Sequence, residues 1–526
     1  MVEVGAEGNG LVRLRAIIER ARLGGGIEEI EKQHQRKKLT ARERVDLLLD
    51  HNTFLEFGMF VQHRATDFGL DKKKPLGDGV VTGVGKVNGR DVMVVAQDFT
   101  VMGGSLGEMH AGKAAAAIEN AIKLGIPVVF MNDSGGARIQ EGVDSLKGYG
   151  EIFYMNTKAS GVVPQIAVIM GPCAGGAVYS PALMDFIVMV KESGFMFITG
   201  PRVVKATTGE DTDEMRLGGA EPHSTKSGVA DVVASDDREA LEMVKRILSY
   251  LPQNNLQDPP RVITGDDPER ETAELNVIVP PDAHKAFDML NVVNAVFDRN
   301  TFFEIKKHWA RNAITGFARL DGHVVGVIAN QPNWMAGVLD IDSSDKISRF
   351  VMFCDVFNIP LVTLVDVPGF MPGTKQEHGG IIRHGAKILY AYSRATVPKL
   401  TLEVRKAYGG AYIAMSSKHL GADFVAAWPS AEIAVMGAEG AAEILARKEL
   451  AEIKTQEERE QVIRNFVRDY RQRFANPYYA ASRGYVDQVI EPALTRQALI
   501  KALEALLPRR SRLASDPLKK HGNVPV

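Results

Sequence analysis

Gly175-Gly176-Ala177 and Gly409-Gly410-Ala411 are identical stretches in equivalent places of the two halves of this 526-residue chain. An offset of 233 residues relates further positions to identical residues, namely Gly89 to Gly322, Gly104 to Gly337, Lys113 to Lys346, Pro127 to Pro360, Asp133 to Asp366 and Gly136 to Gly369. One inserted residue raises the offset to 234, which relates the first glycine stretch to the second. The sequence therefore predicts an internal duplication with two similar sites.

The length and composition are those of a two-domain globular protein. A chain of 526 residues is too long for one hydrophobic core, and the duplication favours two domains. With 45% hydrophobic residues, 24% charged residues and a net charge of -2, nothing in the composition favours binding to nucleic acid. The two cysteines, Cys173 and Cys354, fit a reducing compartment, and neither has a metal-ligand spacing.

The hydropathy pattern favours a cytoplasmic protein. No apolar run approaches the roughly 18 residues that a membrane span requires. The first forty residues contain Glu as well as Arg, unlike a signal or transit peptide. We therefore expect a cytoplasmic location, with no metal, no membrane and no nucleic-acid partner.

Each half contains three short apolar runs that are typical of strands buried on both faces. The runs are 92–96, 127–131 and 166–170 in the first half, and 324–329, 360–365 and 400–404 in the second. Helical stretches at 111–124 and 344–357 lie between runs, which predicts βαβ units with mostly parallel pairing. Asn88-Gly89 and Asp321-Gly322 predict tight hairpin turns. The fold class is therefore α/β, duplicated.

The ends of the halves also correspond, with a larger offset. Gly228, Asp231, Leu251 and Pro252 relate to Gly484, Asp487, Leu507 and Pro508 by 256 residues, so the second half contains an insertion, mainly in the charged helical stretch 441–474. A polar, proline-rich connection at 253–271 includes Asp258-Pro259-Pro260. We predict an N-terminal domain at 1–255, a linker at 256–271 and a C-terminal domain at 272–526.

The glycine stretches are the candidate catalytic elements. A buried strand, then Gly-Gly-Ala, then a helical run presents backbone N–H groups with no bulky side chain in front of them, as in an oxyanion hole. The same pattern also suits close packing or a simple turn. Gly135-Gly136 and Pro368-Gly369 follow the neighbouring strands and are expected to form a second wall of each site, or simple strand-to-helix turns.

Other motifs are weaker. The segment from Gly107 to Lys113 has the GxxxxGK spacing of a phosphate-binding loop, but Ala114 stands where magnesium binding needs Ser or Thr. Lys113 and Lys346 are expected to anchor helix starts or to face a cofactor phosphate. The run Lys72, Lys73 and Lys74 suits an anionic ligand such as a nucleotide 3′-phosphate, or a solvated loop.

No side-chain general base stands out. His110, His378 and His384 lack the acidic or cysteine neighbours of a metal site, and no Ser-His-Asp order is evident. The sequence thus offers backbone amides without a base. A reaction whose base arrives on a cofactor would suit this pattern.

The chain closely resembles the carboxyltransferase (beta) subunits of biotin-dependent acyl-CoA carboxylases, nearest to those of propionyl-CoA carboxylase. Motifs over essentially the whole chain carry the resemblance: Lys38-Leu39-Thr40-Ala41-Arg42-Glu43-Arg44, Gly77-Asp78-Gly79-Val80-Val81-Thr82-Gly83, Asn132-Asp133-Ser134-Gly135-Gly136-Ala137-Arg138, Gly171-Pro172-Cys173-Ala174-Gly175-Gly176-Ala177, Asp366-Val367-Pro368-Gly369-Phe370, Gly379-Gly380-Ile381-Ile382-Arg383-His384-Gly385-Ala386 and Arg405-Lys406-Ala407-Tyr408-Gly409-Gly410-Ala411-Tyr412.

The resemblance implies two tandem crotonase-like domains of the ClpP/crotonase superfamily. It also implies a homo-hexamer whose active sites lie between the N-terminal domain of one chain and the C-terminal domain of another. The turn Gly175-Gly176 would hold the thioester oxygen of acyl-CoA, and Gly410-Ala411 the ureido oxygen of carboxybiotin. Further substrate-binding residues would be Gly135, Gly136, Ala137, Gly369, Tyr412 and Ile413, with Lys72, Lys73 and Lys74.

The implied reaction transfers CO2 from carboxybiotin to the α-carbon of propionyl-CoA. Use of acetyl-CoA is also expected, because the sequence departs from the family pattern at one position. Family members selective for propionyl-CoA tend to have Asp where this chain has Ile413, which favours dual specificity, unless Ile413 simply packs in the core. Biotin itself would be the base, which accounts for the missing side chain. A biotin carrier protein and a biotin carboxylase would be partners, because the sequence contains no Met-Lys-Met attachment site and no ATP-using domain.

Two alternatives stay open at this stage. The first is the carboxyltransferase subunit of a biotin-dependent methylmalonyl-CoA decarboxylase, which runs the same half-reaction in reverse. The second, from another class, is a non-catalytic acyl-CoA-binding scaffold that retains the fold. The two intact glycine turns make the scaffold the weaker alternative.

Overall fold

The backbone repeats one topology in two units, 10–257 and 258–508. The computed structural model describes residues 10–508, so the outer ends of the predicted domains, 1–9 and 509–526, lie outside the described residues. The change of unit after Gln257 lies within the proline-rich connection. The domain limits derived from the sequence remain predictions.

The first unit contains one mixed sheet with helices around it. Its strands are β1 Leu55–Phe57, β2 Val80–Val87, β3 Arg90–Gln97, β4 Val128–Ser134, β5 Gln165–Ala174, β6 Phe186–Val190, β7 Phe195–Phe197 and β8 Val232–Ala234. Its helices are α1 Gly10–Arg22, α2 Ile27–Gln35, α3 Ala41–Leu48, α4 Glu108–Leu124, α5 Val143–Ala159, α6 Tyr179–Leu183, α7 Pro201–Thr208, α8 Glu214–Gly218, α9 Ala220–Thr225 and α10 Asp237–Tyr250. The strand order is β1-β2-β3-β4-β5-β6-β8, and β7 pairs with the end of β5.

The second unit repeats this sheet strand for strand. Its strands are β9 Phe303–Ile305, β10 Ala313–Leu320, β11 His323–Asn330, β12 Leu361–Val367, β13 Lys399–Tyr408, β14 Phe424–Ala427, β15 Glu432–Ala434 and β16 Gln488–Val489. Its helices are α11 Leu275–Ile278, α12 Met289–Val296, α13 Ile341–Val356, α14 Thr374–Gly379, α15 Ile381–Arg394, α16 Gly409–Ala414, α17 Ala438–Leu445, α18 Arg447–Glu452, α19 Gln456–Arg473, α20 Pro477–Ser482 and α21 Thr495–Leu506. The order β9-β10-β11-β12-β13-β14-β16, with β15 paired to β13, matches the first unit.

The apolar runs form the buried centre of each sheet, as the sequence predicted. Strands β3, β4 and β5 pair in parallel in the first unit, and β11, β12 and β13 in the second. Their side chains are nearly all buried because helices cover the sheet, which is why the runs are continuously apolar. The predicted α/β class and internal duplication are confirmed.

The predicted hairpins are also present. Asn88 and Gly89 have φ of 51° and 79°, and Asp321 and Gly322 have φ of 50° and 74°. Positive φ at both central residues is what a two-residue turn matching the twist of its strands requires, and Asn, Asp and Gly adopt it most readily. These turns join β2 to β3 and β10 to β11 as antiparallel pairs.

The inserted stretch 441–474 is helical, as predicted, and is divided among α17, α18 and α19. In the part of the chain that the structure describes, no helix has the length and hydropathy needed to cross a membrane. Both cysteines are buried and free.

Candidate active site

The first glycine turn follows β5 directly. Gly175 has φ of 65°, which glycine adopts without strain, and it begins a 3-10 turn that continues into α6. The first N–H groups of a helical turn have no partner within it. Gly176 is partly exposed, and an added Cβ would lie 3.7 Å from the Tyr149 ring of α5. The turn therefore presents backbone donors next to an aromatic wall.

The second glycine turn follows β13 in the same way. Gly409 has φ of 60° and begins α16, Gly410 is exposed, and Ala411 is buried. A Cβ added at Gly410 would have no atom within 4 Å, so the space in front of this residue is open. The two glycine turns thus share the positive φ of their first glycine, but the first is a 3-10 turn, the second begins an α-helix, and their surroundings differ.

The predicted second walls lie at the same sheet edge as the turns. Because β4 pairs with β5 up to Ser134 and Cys173, the segment after β4 lies beside the first turn, and a Cβ on Gly136 would be 3.5 Å from the Ala174 carbonyl oxygen. Both N–H groups are used internally: Gly135 donates to the Gly103 carbonyl at 2.9 Å and Gly136 to Ser134 Oγ at 3.1 Å. We infer that this wall contributes shape rather than donors.

The remaining predicted pocket residues are arranged symmetrically around the two turns. Ala137 is half-buried and bridges to Leu106, while the half-buried Gly369 is followed by Phe370, which bridges to Leu339. Val367 at the end of β12 pairs with Ala407 of β13, which brings Gly369 to the edge that carries the second turn. Each unit therefore assembles its strand-end loops in the same way.

Tyr412 and Ile413 lie on α16, directly after the second turn. The Tyr412 hydroxyl is 3.3 Å from His419 Nε2, and the His419 ring also packs edge-on against Tyr485. Ile413 is 38% exposed, so it is available to line a pocket and is not a fully buried core residue. Whether either residue contacts substrate stays a prediction.

Buried ion pairs fix the strand end beside each turn, and sequence reasoning assigned them no role. Asp133 accepts hydrogen bonds from Lys38 Nζ at 2.7 Å and Arg44 at 2.8 Å, and all three side chains are buried. Burial lowers the pKa of Lys38. In the second unit Asp366 accepts from Arg405 Nη2 at 2.8 Å and from the Lys406 backbone N–H at 2.8 Å.

The ion pairs of Asp133 and Asp366 take their cations from different parts of the chain. The offset of 234 relates Gly171 to Arg405, so the second strand supplies its own cation where the first has a glycine. A Cβ on Gly171 would lie 2.0 Å from Asp133 Oδ1 and 2.7 Å from Lys38 Nζ. The absence of a side chain at Gly171 therefore leaves room for the ion pairs of Asp133. Comparing the two halves position by position would have revealed this exchange.

The apparent phosphate-binding loop has no room for a phosphate. The N–H of Glu108, at the start of α4, donates to the Glu141 carboxylate at 2.7 Å, and that carboxylate also fills the space where a Gly107 side chain would lie. Lys113 Nζ donates to the Gly77 carbonyl at 2.9 Å, and the equivalent Lys346 donates to the carbonyls of Trp309 and Ala313. Both lysines thus anchor helices to loops, one of their two predicted roles.

The basic run lies in the loop before β2. Lys72 and Lys73 are exposed, whereas Lys74 Nζ donates to the carbonyls of His63 and Ala65, each at 2.9 Å. The Lys74 charge is therefore used within the loop. Lys72 and Lys73 are better placed to meet an anionic ligand, and this role stays a prediction.

Titratable groups near the turns are poorly suited to act as bases. Burial raises the pKa of the Cys173 thiol to about 12 and raises the pKa values of the Tyr149, Tyr408 and Tyr412 hydroxyls. His110 is buried on α4, where desolvation and nearby cations hold its pKa well below the usual value. Among residues 10–508 no cluster of three metal-ligating side chains is present. Backbone hydrogen bonding is the chemistry that both turns offer.

The second unit also contains a cavity of about 320 Å³ beside its glycine turn. Pro368 and Tyr408, which flank the second wall and the turn, contribute to its lining with Lys406, Glu439 and Arg471. Burial lowers the pKa of Lys406, whose ammonium lies 3.9 Å from Asp366. Charged side chains of both signs therefore line this cavity together with alanine and proline residues.

Comparison with known proteins agrees with this architecture. The family model of the carboxyl transferase domain matches residues 32–524. The propionyl-CoA carboxylase beta chain of Roseobacter denitrificans is 56% identical over 96% of this chain and 97% of that protein. The methylmalonyl-CoA decarboxylase subunit alpha of Propionigenium modestum is 54% identical over 97% of each.

A solved structure is similar over its full length. The transcarboxylase 12S hexamer with hydrolysed methylmalonyl-coenzyme A bound has a TM-score of 0.93 and 51% identity, covering 100% of both chains. This likeness confirms the predicted crotonase-like pair of domains. The chain belongs to the carboxyl transferase domain family and is a carboxyltransferase enzyme.

Proposed function

We propose that the chain is the carboxyltransferase subunit of a biotin-dependent acyl-CoA carboxylase. It transfers CO2 from carboxybiotin to the α-carbon of propionyl-CoA, giving methylmalonyl-CoA, and also accepts acetyl-CoA. The observation that carries this proposal is the near full-length 56% identity with a propionyl-CoA carboxylase beta chain. Both glycine turns are intact in the fold that such chains share.

The two turns have different tasks in this proposal. Gly175 and Gly176 hold the thioester oxygen as negative charge develops on it, and Gly410 and Ala411 hold the ureido oxygen of biotin. The space around the Cα of Gly410 is open, and the Tyr149 ring lies beside the first turn. Fixed backbone donors aimed at a developing oxyanion lower the barrier without reorganisation.

Biotin, attached to a partner protein, supplies the carboxyl group and takes the α-proton of the acyl thioester. The chain positions both substrates and polarises their carbonyl groups. The raised pKa values of the tyrosines and of Cys173 support this division of roles, because none of these groups is a base near neutral pH. Lys72 and Lys73 are the proposed contacts for the CoA phosphates.

The assembly is proposed to be a homo-hexamer working with a biotin carboxylase and a biotin carrier protein. The similarity to the 12S chain, whose solved structure is a hexamer, supports the first part. The carboxylase relatives are named as beta chains, which supports partner chains in general. The two free, buried cysteines support a cytoplasmic location.

The reverse direction is the second candidate. The 54% identity with a methylmalonyl-CoA decarboxylase subunit favours it almost as strongly, since the two reactions share one half-reaction. Purified chain should be combined with ATP, bicarbonate, a biotin carboxylase and a biotinylated carrier, and then given propionyl-CoA or acetyl-CoA. ATP-dependent formation of methylmalonyl-CoA supports the carboxylase. Carboxyl transfer only from methylmalonyl-CoA to the carrier supports the decarboxylase.

A further inference from the structure

The inserted stretch of the second half reaches the cavity beside the glycine turn of that half through Arg471 of α19. Glu439 on α17 and Arg471 on α19 line the same cavity as Tyr408, the residue directly before Gly409. The insertion is the main difference in length between the two halves. An element added to one copy of a duplicated site is a candidate for what makes that copy different.

A polar relay connects α19 to the turn. Arg471 Nη2 donates to Glu439 Oε1 at 3.0 Å. Arg471 Nε lies 3.0 Å from Glu432 Oε1, an ion pair without hydrogen-bond alignment. The Tyr408 hydroxyl then donates to Glu432 Oε2 at 2.5 Å. One guanidinium therefore orients the carboxylate that holds the residue preceding the turn.

The relay lies where strand β15 packs beside the second glycine turn. Strand β15 pairs with the end of β13, with Glu432 opposite Lys406 and Ala434 opposite Tyr408. A Cβ on Gly409 would lie 3.0 Å from the Val435 carbonyl oxygen, so the backbone after β15 packs directly on the turn. Tyr408 is only 8% exposed, and its hydroxyl bond to Glu432 ties the two strands together beside Gly409.

The first half has no such relay at the matching place. There β7 pairs with β5 so that Phe195 lies opposite Pro172, as Glu432 lies opposite Lys406 in the second half. Ala174 precedes the first glycine turn where Tyr408 precedes the second, and Phe195 stacks on Phe197 at 5.2 Å. An apolar contact thus supports the first turn, and a charged one supports the second.

We propose that Arg471 is a positioning residue for the biotin side of the reaction, acting through Glu432 and Tyr408 on the second glycine turn. The proposal rests on the function proposed above, in which this turn holds the ureido oxygen of biotin. A displaced turn would weaken biotin binding and leave the acyl-CoA side of the reaction intact.

The test compares Arg471→Met, Arg471→Lys and Arg468→Met in the full-length chain. Arg468 is an exposed residue of the same helix that makes one bond, to Asn465 at 3.4 Å, and serves as the matched control. The measurement is biotin-dependent decarboxylation of methylmalonyl-CoA, with free biotin and the acyl-CoA varied separately. Arg471→Met should lower kcat/KM for biotin by about tenfold, as expected for a lost charged interaction, with the acyl-CoA KM within about twofold.

Arg471→Lys should recover part of the loss, and Arg468→Met should behave as wild type. Tyr408→Phe removes only one hydroxyl, so it tests the relay even where Arg471→Met folds poorly; it should also raise the KM for biotin, and combining the two substitutions should add little. Unchanged biotin kinetics in Arg471→Met and Tyr408→Phe, or equal changes for both substrates, would overturn the proposal. A wild-type chain without biotin-dependent turnover would instead contradict the proposed function itself.

Discussion

Gly410 offers the sharpest residue-level test of the glycine turns. Proline at this position removes the backbone N–H, and the first turn of a helix tolerates proline. Gly410→Ala keeps the N–H, and its added Cβ would meet no atom within 4 Å. We expect Gly410→Pro to lower kcat by about 100- to 1000-fold, the range for a lost oxyanion donor, and Gly410→Ala to stay near wild type. Similar loss in both variants would argue that sterics, not the N–H, matter.

Ile413 is the residue at which acyl preference can be tested. The resemblance places Asp here in propionyl-selective members, and Ile413 is partly exposed on α16. Ile413→Asp should lower use of acetyl-CoA relative to propionyl-CoA in a competition assay, because the polar side chain reshapes the acyl pocket. Ile413→Asn, of the same shape without the charge, is the control. An unchanged ratio in Ile413→Asp would remove this residue from the pocket.

Glu403 makes stability depend on pH. It is fully buried on β13 where the first half has Ile169, neither carboxylate oxygen has a hydrogen-bond partner in the described part of the chain, and burial raises its pKa to about 8. The usual pKa is 4.5. Between these values the folded state binds more protons than the unfolded state, so this residue's contribution makes stability fall as pH rises through the window.

Glu403→Gln is neutral at every pH and should lose this slope. At about 1.4 kcal/mol per unit of pKa shift, the difference between variant and wild type should reach a few kcal/mol near pH 8. Urea unfolding midpoints measured from about pH 5 to 8 provide the comparison. Parallel pH curves for the two proteins would show that Glu403 is not the buried neutral acid described.

At the scale of elements, the ion pairs at the strand ends should be important for stability. Asp133 joins β4 to Lys38 and to Arg44 of α3, and all three side chains are buried. Asp133→Ala leaves the buried Lys38 without its partner carboxylate, which should cost about 3 to 5 kcal/mol. The exposed pair of Asp91 with Lys86 is the control, where Asp91→Ala should cost under about 1 kcal/mol. Equal shifts in urea midpoint would contradict this role for the anchor.

Local sequence signals were sufficient to predict the strands and hairpins. They were insufficient to predict the long-range ion pairs and hydrogen bonds that hold these elements together. The apolar runs, Asn88-Gly89 and Asp321-Gly322 predicted the central strands and hairpins because periodicity and turn chemistry act within a few residues. Lys38 and Asp133 are 95 residues apart, and no local pattern connects them. The carbonyl bonds of Lys74 likewise depend on how one loop closes, which composition does not determine.

At the scale of the whole molecule, the duplication supplied more information than either half. The repeated offset revealed equivalent turns. The repeat fails at Gly171 against Arg405 and at the helices α18 and α19, which mark where the halves have diverged. Similar glycine turns in different surroundings are what two non-equivalent half-reactions require. The assignment of one turn to acyl-CoA and the other to biotin remains a proposal.

Biotin-dependent decarboxylation tests the central claim most directly. Purified chain, free biotin and methylmalonyl-CoA are incubated without ATP, and propionyl-CoA release is followed with and without biotin. The account predicts release that requires biotin and is lost in both Gly176→Pro and Gly410→Pro, while each variant keeps the oligomeric state of the wild type. No biotin-dependent release by a folded wild-type chain, or normal release by either proline variant, would contradict it.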